Sequence, residues 1–402
     1  PYYSENPYFK NSAIFFTYNK IADYNTTIQY QGINNVGSLT QKFIEQLNNN
    51  NADTPQATFD YPLGASLAFG NYLIDTTLEG GKIKYRTLVP LSANKSQNYK
   101  KVSNGYSSEY TLGWASQVEK IIYLGASIVI PVFSYNYTKT FDEIDISNNT
   151  NNNFSFLNYK EVYNSRGTGV GFKLGIIVKP TEKFRFGLSI HSPQSFYVTE
   201  DIYAELASNN EGYKNNKTKY LNSSTMYLNS STIRDGDIEV NNYYYTSPGK
   251  IQLSSSYFWG NLKTTNSLKG FVSGELEFVN YAGTRFYANT YDKATSDYYS
   301  LINEVVKSSY KNNINFKIGS EIKLNSNWMI RGGAAYYGSP YKDETLKASR
   351  MVVSGGIGYR TNRNFIDFTI VSSSTKDAVF PYRLNDKPNT FASLTANQLV
   401  FN

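Results

Sequence analysis

The chain has 402 residues and a net charge of +7, and its charged residues are only 18% of the total. They form no clustered basic stripe, which excludes a nucleic-acid footprint. It contains no Cys, so disulfides, thiolate metal ligands and thiol catalysis are excluded. Mean hydropathy is −0.47, and no apolar run reaches about 18 residues, which excludes helical membrane spans. Aromatics make up 16%, with 37 Tyr and 24 Phe. That excess fits a Tyr-rich soluble β protein or the aromatic girdles of a membrane barrel, and composition alone does not separate the two.

Pro1-Tyr2-Tyr3-Ser4 lacks the basic and then apolar start of a signal peptide, so an exported chain would begin here after processing or further downstream. Ala13 to Tyr18 predicts a first strand with Ile14, Phe16 and Tyr18 on one side. A long polar segment follows and carries a short helix: Ser38 caps it with Gln41 three positions on, and Leu39, Phe43 and Leu47 share a face. A second apolar patch, Leu67-Ala68-Phe69 and Tyr72-Leu73-Ile74, lies in the same loop. The spacing predicts a strand from Glu109 to Val118, a turn at Glu119-Lys120, and a strand from Ile122 that ends near Pro131, a residue a central strand rejects. A polar loop is expected from Ser134 to Arg166.

Between Gly169 and Val178 the alternation is unbroken. Val170, Phe172, Leu174, Ile176 and Val178 point one way; Gly169, Gly171, Lys173, Gly175 and Ile177 point the other. After the charged turn Lys179 to Lys183, Phe184, Phe186, Leu188 and Ile190 alternate with Arg185, Gly187, Ser189 and His191. Two successive strands, each wholly apolar on one face over about ten residues, have the length and pattern of a bilayer-crossing hairpin. A second long loop is expected from Ser195 to Ser247. Strands follow at Lys250 to Trp259, Leu268 to Val279, Ile314 to Leu324, Trp328 to Tyr337, Met351 to Arg360, Phe365 to Val371 and Ser393 to Phe401. A helix capped by Ser296, with Tyr298, Leu301, Ile302 and Val305 at helical spacing, interrupts them. Short turns and long loops alternate strictly, as they do where one end of a barrel faces the periplasm. The fold class is therefore an all-β transmembrane antiparallel barrel of the outer-membrane type, with twelve visible strands in one domain over residues 1–402.

The only histidine, His191, limits any catalytic triad: Ser192 points to the opposite face, and Ser189 shares its face without an orienting acid. A hydrolase is thus poorly supported, and His191 reads as a lumen or rim residue. Glu275 and Glu277 share an inner face and are either an acid/base pair or a solvated lining paired with cations. Lys173, Lys179, Arg185, Lys317, Arg331 and Arg360 fall on the predicted inner face. Nothing in the pattern calls for a metal, nucleotide or other cofactor.

Several stretches together resemble the FadL/TodX family of outer-membrane transport proteins. They are Tyr18-Asn19-Lys20 with Asp23-Tyr24-Asn25; Asn71 to Asp75; Gly105 to Val118; Tyr123 to Ala126 through Ile130-Pro131; Gly167 to Pro193; and Arg331 to Pro340. The resemblance implies a Gram-negative outer-membrane location and fourteen strands with an N-terminal hatch. The hatch and two strands would then precede Pro1, and Phe401 as penultimate residue places the natural end slightly beyond Asn402. It also implies passive, non-enzymatic transport of hydrophobic or amphipathic molecules such as long-chain fatty acids. Lys173, Arg185, His191, Lys317 and Arg331 would be lumen ligand contacts. Leu39, Phe43, Leu47, Leu73, Leu301, Ile302 and Val305 would belong to a loop groove that captures ligand. The alternative is a FadL-like barrel serving as a docking subunit in a larger outer-membrane assembly, with other outer-membrane proteins as partners.

Overall fold

The computed structural model describes residues 9–213, 218–222, 240–261, 268–361, 363–385 and 392–401. Their strands form one large antiparallel sheet and one separate hairpin. The wall begins with β1 (Phe9–Asp23) and β2 (Thr26–Asn34), which pair in turn with a single long strand, β5 (Lys95–Val118). It continues through β6 (Ile122–Asp145) and β7 (Phe156–Val178) to β8 (Phe184–His191) and β9 (Ser195–Asn209), both of which pair with β7. Next come β11 (Val240–Thr246), paired with β9, and β12 (Lys250–Gly260), paired with β8. β13 (Lys269–Val279) and β14 (Arg285–Ala288) pair with β12 and β11. The rest is a plain meander: β15 (Asn313–Lys323), β16 (Trp328–Tyr337), β17 (Arg350–Arg360), β18 (Phe365–Val379) and β19 (Ala392–Phe401). Four wall strands are thus each broken in two, β10 (Thr218–Asn222) is a short addition to β9, and the described wall has the twelve strands that the alternation predicts. At the seam between its ends, the Tyr30 hydroxyl on β2 donates to the Val379 carbonyl on β18 at 3.3 Å.

Local chemistry sets the short turns. In 325–327 the Asn325 carboxamide oxygen accepts from the backbone of both Asn327 and Trp328 at 2.9 Å, an Asx turn that reverses the chain in three residues. Thr181 does the same for Lys183 and Phe184. At the break between β1 and β2, Gly105 of β5 has φ +139°, and a Cβ there would collide with the Ser134 carbonyl. Only glycine lets the two backbones approach this closely.

The strands are longer than their alternation suggests. β5 starts at Lys95 rather than Glu109, and 24 residues at about 3.3 Å each span roughly 80 Å. About ten residues cross the bilayer, so the rest projects outward. β6 passes through Pro131 instead of ending there. Its ladder with β7 keeps one register but skips the two positions between Val129↔Gly171 and Val132↔Thr168, so Pro131, which stands opposite Glu109 of β5, lies where pairing with β7 is interrupted and a residue without an N–H is tolerated. Most of the expected loop Ser134 to Arg166 is therefore paired strand, leaving only residues 146–155 as connection. β9, β10 and β11 likewise occupy parts of the expected loop Ser195 to Ser247, and residues 223–239 lie outside the described residues.

Above the wall, residues 35–94 build a cap. α1 (Leu39–Asn49) carries the capping box that the sequence predicts: Ser38 accepts from the first turn, and the Gln41 side chain accepts from the Ser38 N–H at 3.0 Å. α2 (Ala65–Gly70) and the hairpin β3 (Ile74–Glu79)–β4 (Lys82–Thr87) pack beside it. Leu39, Phe43, Leu47, Leu67, Leu73 and Ile74 are all buried, against Phe141, Leu157 and Leu206 of the strand extensions and against Tyr382 and Leu384. The third helix, α3 (Lys293–Ser309), is capped by Asp292 and not by Ser296. The Asp292 carboxylate accepts from Thr295 N–H at 2.8 Å, and Ser296 already donates its own N–H to the Asp292 carbonyl inside the first turn.

Candidate functional site

Alternation divides the lower wall into two environments. Outward stand Phe172, Leu174, Phe186, Leu188, Leu253, Leu276, Phe316, Ile330 and Phe368, all exposed on the protein; surrounded by lipid, this is an apolar band. Inward stand the polar partners, and they are organised. Lys173 on β7 is ion-paired with Glu109 on β5, and Glu109 also accepts from Thr111 at 3.1 Å and from Gln194 at 3.1 Å. His191 lies beside Lys173 and Lys250 in the strand register. Further round, Ser189 donates to Gln252 at 2.8 Å, and Gln252 donates to Glu275 and Glu277. Lys317 pairs with Glu275 at 2.8 Å, and Asn315 donates to Glu277 at 2.8 Å. Arg331 is held between Glu321 and Asp367, both at 2.6 Å.

Each carboxylate of Glu275 and Glu277 thus has a cation or amide partner, which favours the ion-paired lining over an acid/base pair. Arg185 differs from the other lumen cations. Its guanidinium lies over the Phe258 ring at 4.3 Å, and no carboxylate pairs with it among the described residues. Lys179 sits in the short turn just beyond β7, paired with Glu182 at 2.8 Å. Ser192 donates to the Pro193 carbonyl and Ser189 to Gln252, so neither approaches His191 as a nucleophile would.

Between the Lys317 and Arg331 pairs the inner wall is hollow. Gly319, Gly333, Ser354 and Gly356 leave a cavity of about 550 Å³ whose other walls include Phe271 and Val352. At the outer mouth a second cavity, about 520 Å³, is lined by Val305, Tyr310, Tyr341, Leu346, Asp377 and Arg383.

The loop residues expected to form one groove separate into two groups. Leu39, Phe43, Leu47 and Leu73 are interior to the cap and show no surface to a ligand; the same amphipathic spacing that marks a groove also marks a helix packed on its neighbours. Leu301 and Val305 are 62% and 60% exposed and Tyr298 58%, while Ile302 is half-buried. α3 instead turns Tyr299 toward Tyr243 and Phe286, and Val306 inward.

Residues 49–397 match the family model described as outer membrane protein transport protein (OMPP1/FadL/TodX). The chain belongs to this family. It is therefore an outer-membrane β-barrel of Gram-negative type that transports hydrophobic compounds, and not an enzyme. Among solved structures it is similar to a Pseudomonas aeruginosa FadL homologue, at 13% identity over 97% of this chain and 86% of that one, TM-score 0.49. Two structures of the Pseudomonas putida toluene transporter TodX are also similar. One shows 12% identity over 72% of this chain and 67% of that one, TM-score 0.39. The other shows 11% identity over 81% and 84%, TM-score 0.43. No curated protein matches the chain in sequence.

Sequence reasoning missed the tyrosine-lined tier between cap and lower lumen. There Tyr137 and Tyr159 donate to Glu161 at 2.6 and 3.0 Å, and Tyr163 and Tyr243 donate to Glu200 at 2.6 and 3.0 Å. The available signal was the alternation Phe133, Tyr135, Tyr137, Lys139, Phe141 inside a segment read as loop.

Proposed function

We propose that this barrel passes amphipathic molecules with an apolar tail and an anionic head, such as long-chain fatty acids, from the outer surface into the lumen by diffusion. The observation that carries the reading is the exposed apolar stripe of α3. Tyr298, Leu301 and Val305 face water on an extracellular helix, where a soluble face would be polar, and Val305 also lines the outer mouth cavity. A tail adsorbed on that stripe would enter beside Tyr310 and Tyr341. In the lower lumen Arg185, Lys173, Lys317 and Arg331 supply the positive charge and His191 a polar neighbour; of these cations Arg185 needs no internal carboxylate displaced before it can meet a ligand head. Transport of this kind draws on no nucleotide, since the ligand moves down its own gradient.

The test is uptake of radiolabelled oleate by Gram-negative cells that lack their own long-chain transporter and express this chain. The expected result is saturable uptake that falls several-fold in the Leu301→Asp/Val305→Asp double variant at equal outer-membrane abundance. Uptake equal to that of empty cells, or unchanged in the double variant, would overturn the reading.

A further inference from the structure

The cavity at the outer mouth has a lining that the passage of an apolar tail does not explain. Its residues come from three places in the chain. α3 ends there with Val305, Ser308 and Ser309, and Tyr310 follows as the C-cap residue. The connection after β16 brings Tyr341, Asp343 and Leu346; the top of β18 brings Asp377, with Arg383 just beyond it. Backbone bonds pin these segments together. Tyr310 and Tyr341 form an antiparallel bridge, Lys311 N–H donates to the Pro340 carbonyl at 2.8 Å, and Lys342 N–H donates to the Ser309 carbonyl at 2.9 Å. The Tyr310 and Tyr341 rings therefore lie side by side, 5.3 Å apart with their planes at 34°.

The charged groups of this lining keep unused hydrogen-bonding capacity. Asp343 accepts from the Thr345 N–H at 2.9 Å and from its hydroxyl at 2.6 Å, both on one carboxylate oxygen. The Thr345 hydroxyl first and its N–H next hold the Asp343 carboxyl below the usual range. Asp377 uses one oxygen for the Ala378 N–H at 2.8 Å. The second oxygen of each carboxylate has no hydrogen bond among the described residues. Arg383 lays its guanidinium on the Phe380 ring at 4.1 Å and pairs with no carboxylate among the described residues.

This mixture of charge decides which ligand fits. A carboxylate or phosphate head would meet two aspartates, and an ammonium would meet Arg383. An alkyl tail would cover three charged groups without pairing any of them. A neutral ligand rich in hydroxyls avoids each penalty. Vicinal hydroxyls donate to a carboxylate and accept from a guanidinium. The C–H face of a pyranose ring lies well on an aromatic ring, whose own face is negative. At about 520 Å³ the cavity falls within the roughly 300–1,000 Å³ of small-ligand sites.

We infer that this mouth cavity is a saccharide site, with Tyr310 and Tyr341 as the platform for a sugar ring and Asp343, Asp377 and Arg383 as partners for its hydroxyls. The inference goes beyond the transport reading and does not rest on it. A sugar reaches this position either dissolved in the medium or as the head of an outer-leaflet glycolipid, whose chain would start against Val305 and Leu346.

The experiment is saturation-transfer NMR on the purified full chain in a polyoxyethylene detergent, which carries no sugar. The probes are the methyl pyranosides of glucose, galactose, mannose and N-acetylglucosamine. The expected result is saturation transfer to at least one of them, with millimolar affinity. Asp377→Asn combined with Arg383→Gln should weaken that sugar by about tenfold, as loss of two charge-assisted partners would. Tyr341→Ala should abolish binding, while Tyr341→Phe, which keeps the ring, retains it. Unchanged heat-modifiable migration reports that each variant barrel is folded. The octyl glycoside of the same sugar, below its micellar concentration, separates the two sources. Tighter binding than the methyl glycoside assigns a glycolipid head, and equal binding a dissolved saccharide. No transfer to any of the four sugars, or undiminished binding in the double variant, would overturn the site. The oleate test reads the α3 stripe, so either proposal can fail without the other.

Discussion

The molecule has two tiers that solve opposite problems with the same strands. In the lower tier the wall is one sheet thick, apolar outside and polar inside, with a cavity floored by Gly319, Gly333 and Gly356. In the upper tier the same β6 and β7, joined by β9, carry a packed core, with Phe141, Leu157 and Leu206 on their inner faces meeting α1 and α2. The contrast follows from solvent. Lipid satisfies an apolar outer face, so the lower lumen is free to stay hollow and wet. Above the bilayer water lies on both sides, and apolar side chains are removed from it only by packing against one another.

The comparison breaks most sharply where the cap core is emptied. Phe43→Ala should destabilise the cap by about 3–5 kcal/mol yet leave the wall folded. Limited trypsin digestion would then cut within residues 38–94 while the barrel keeps its heat-modifiable migration. Simultaneous loss of both would show that the tiers fold as one unit.

Lipid-facing Leu174 is the counterpart in the lower tier. Leu174→Arg puts a charge into the apolar band and should cost about 2–4 kcal/mol in a bilayer, measured by urea-dependent release from vesicles, with the cap unaffected. A cost near zero would place Leu174 outside the band.

The junction between the tiers carries a buried acid. Glu143 accepts from Ser38 Oγ at 3.0 Å and from Leu39 N–H at 2.8 Å at the start of α1, and burial raises its pKa to about 7. Its folded pKa lies above the unfolded value, so the folded cap binds the proton more tightly and loses stability as pH rises from about 4.5 through 7. Between pH 5.5 and pH 8 the loss should be about 2 kcal/mol. Trypsin susceptibility of the cap should therefore rise with pH, and Glu143→Gln should flatten the profile. A native cap that is more resistant at pH 8 would reverse the assignment.

The smallest effect is expected from Arg331. Its pairs with Glu321 and Asp367 are partly solvated, so Arg331→Gln should cost less than about 1 kcal/mol, read as a slight shift in the wall's urea midpoint. A larger loss would mean that the lower lumen is as tightly packed as the cap.

The sequence by itself determined the lower tier. Val170 through Ile190 alternates because lipid and lumen demand different side chains at every second position, and that demand is written residue by residue. The α1 capping box was legible for the same reason, since Ser38 and Gln41 act within one turn. Only the tertiary structure decided the upper tier. There water bathes the outer faces, so the period-two signal fades while backbone pairing continues, and backbone hydrogen bonds leave no mark on side-chain choice. Residues 134–145 therefore read as loop although they are strand. Leu39 and Leu301 looked alike as members of apolar helical stripes, and only the fold buries one and exposes the other. The opposition of Lys101 and Lys139 across β5 and β6 joins positions far apart in the chain, and no local pattern could have announced it.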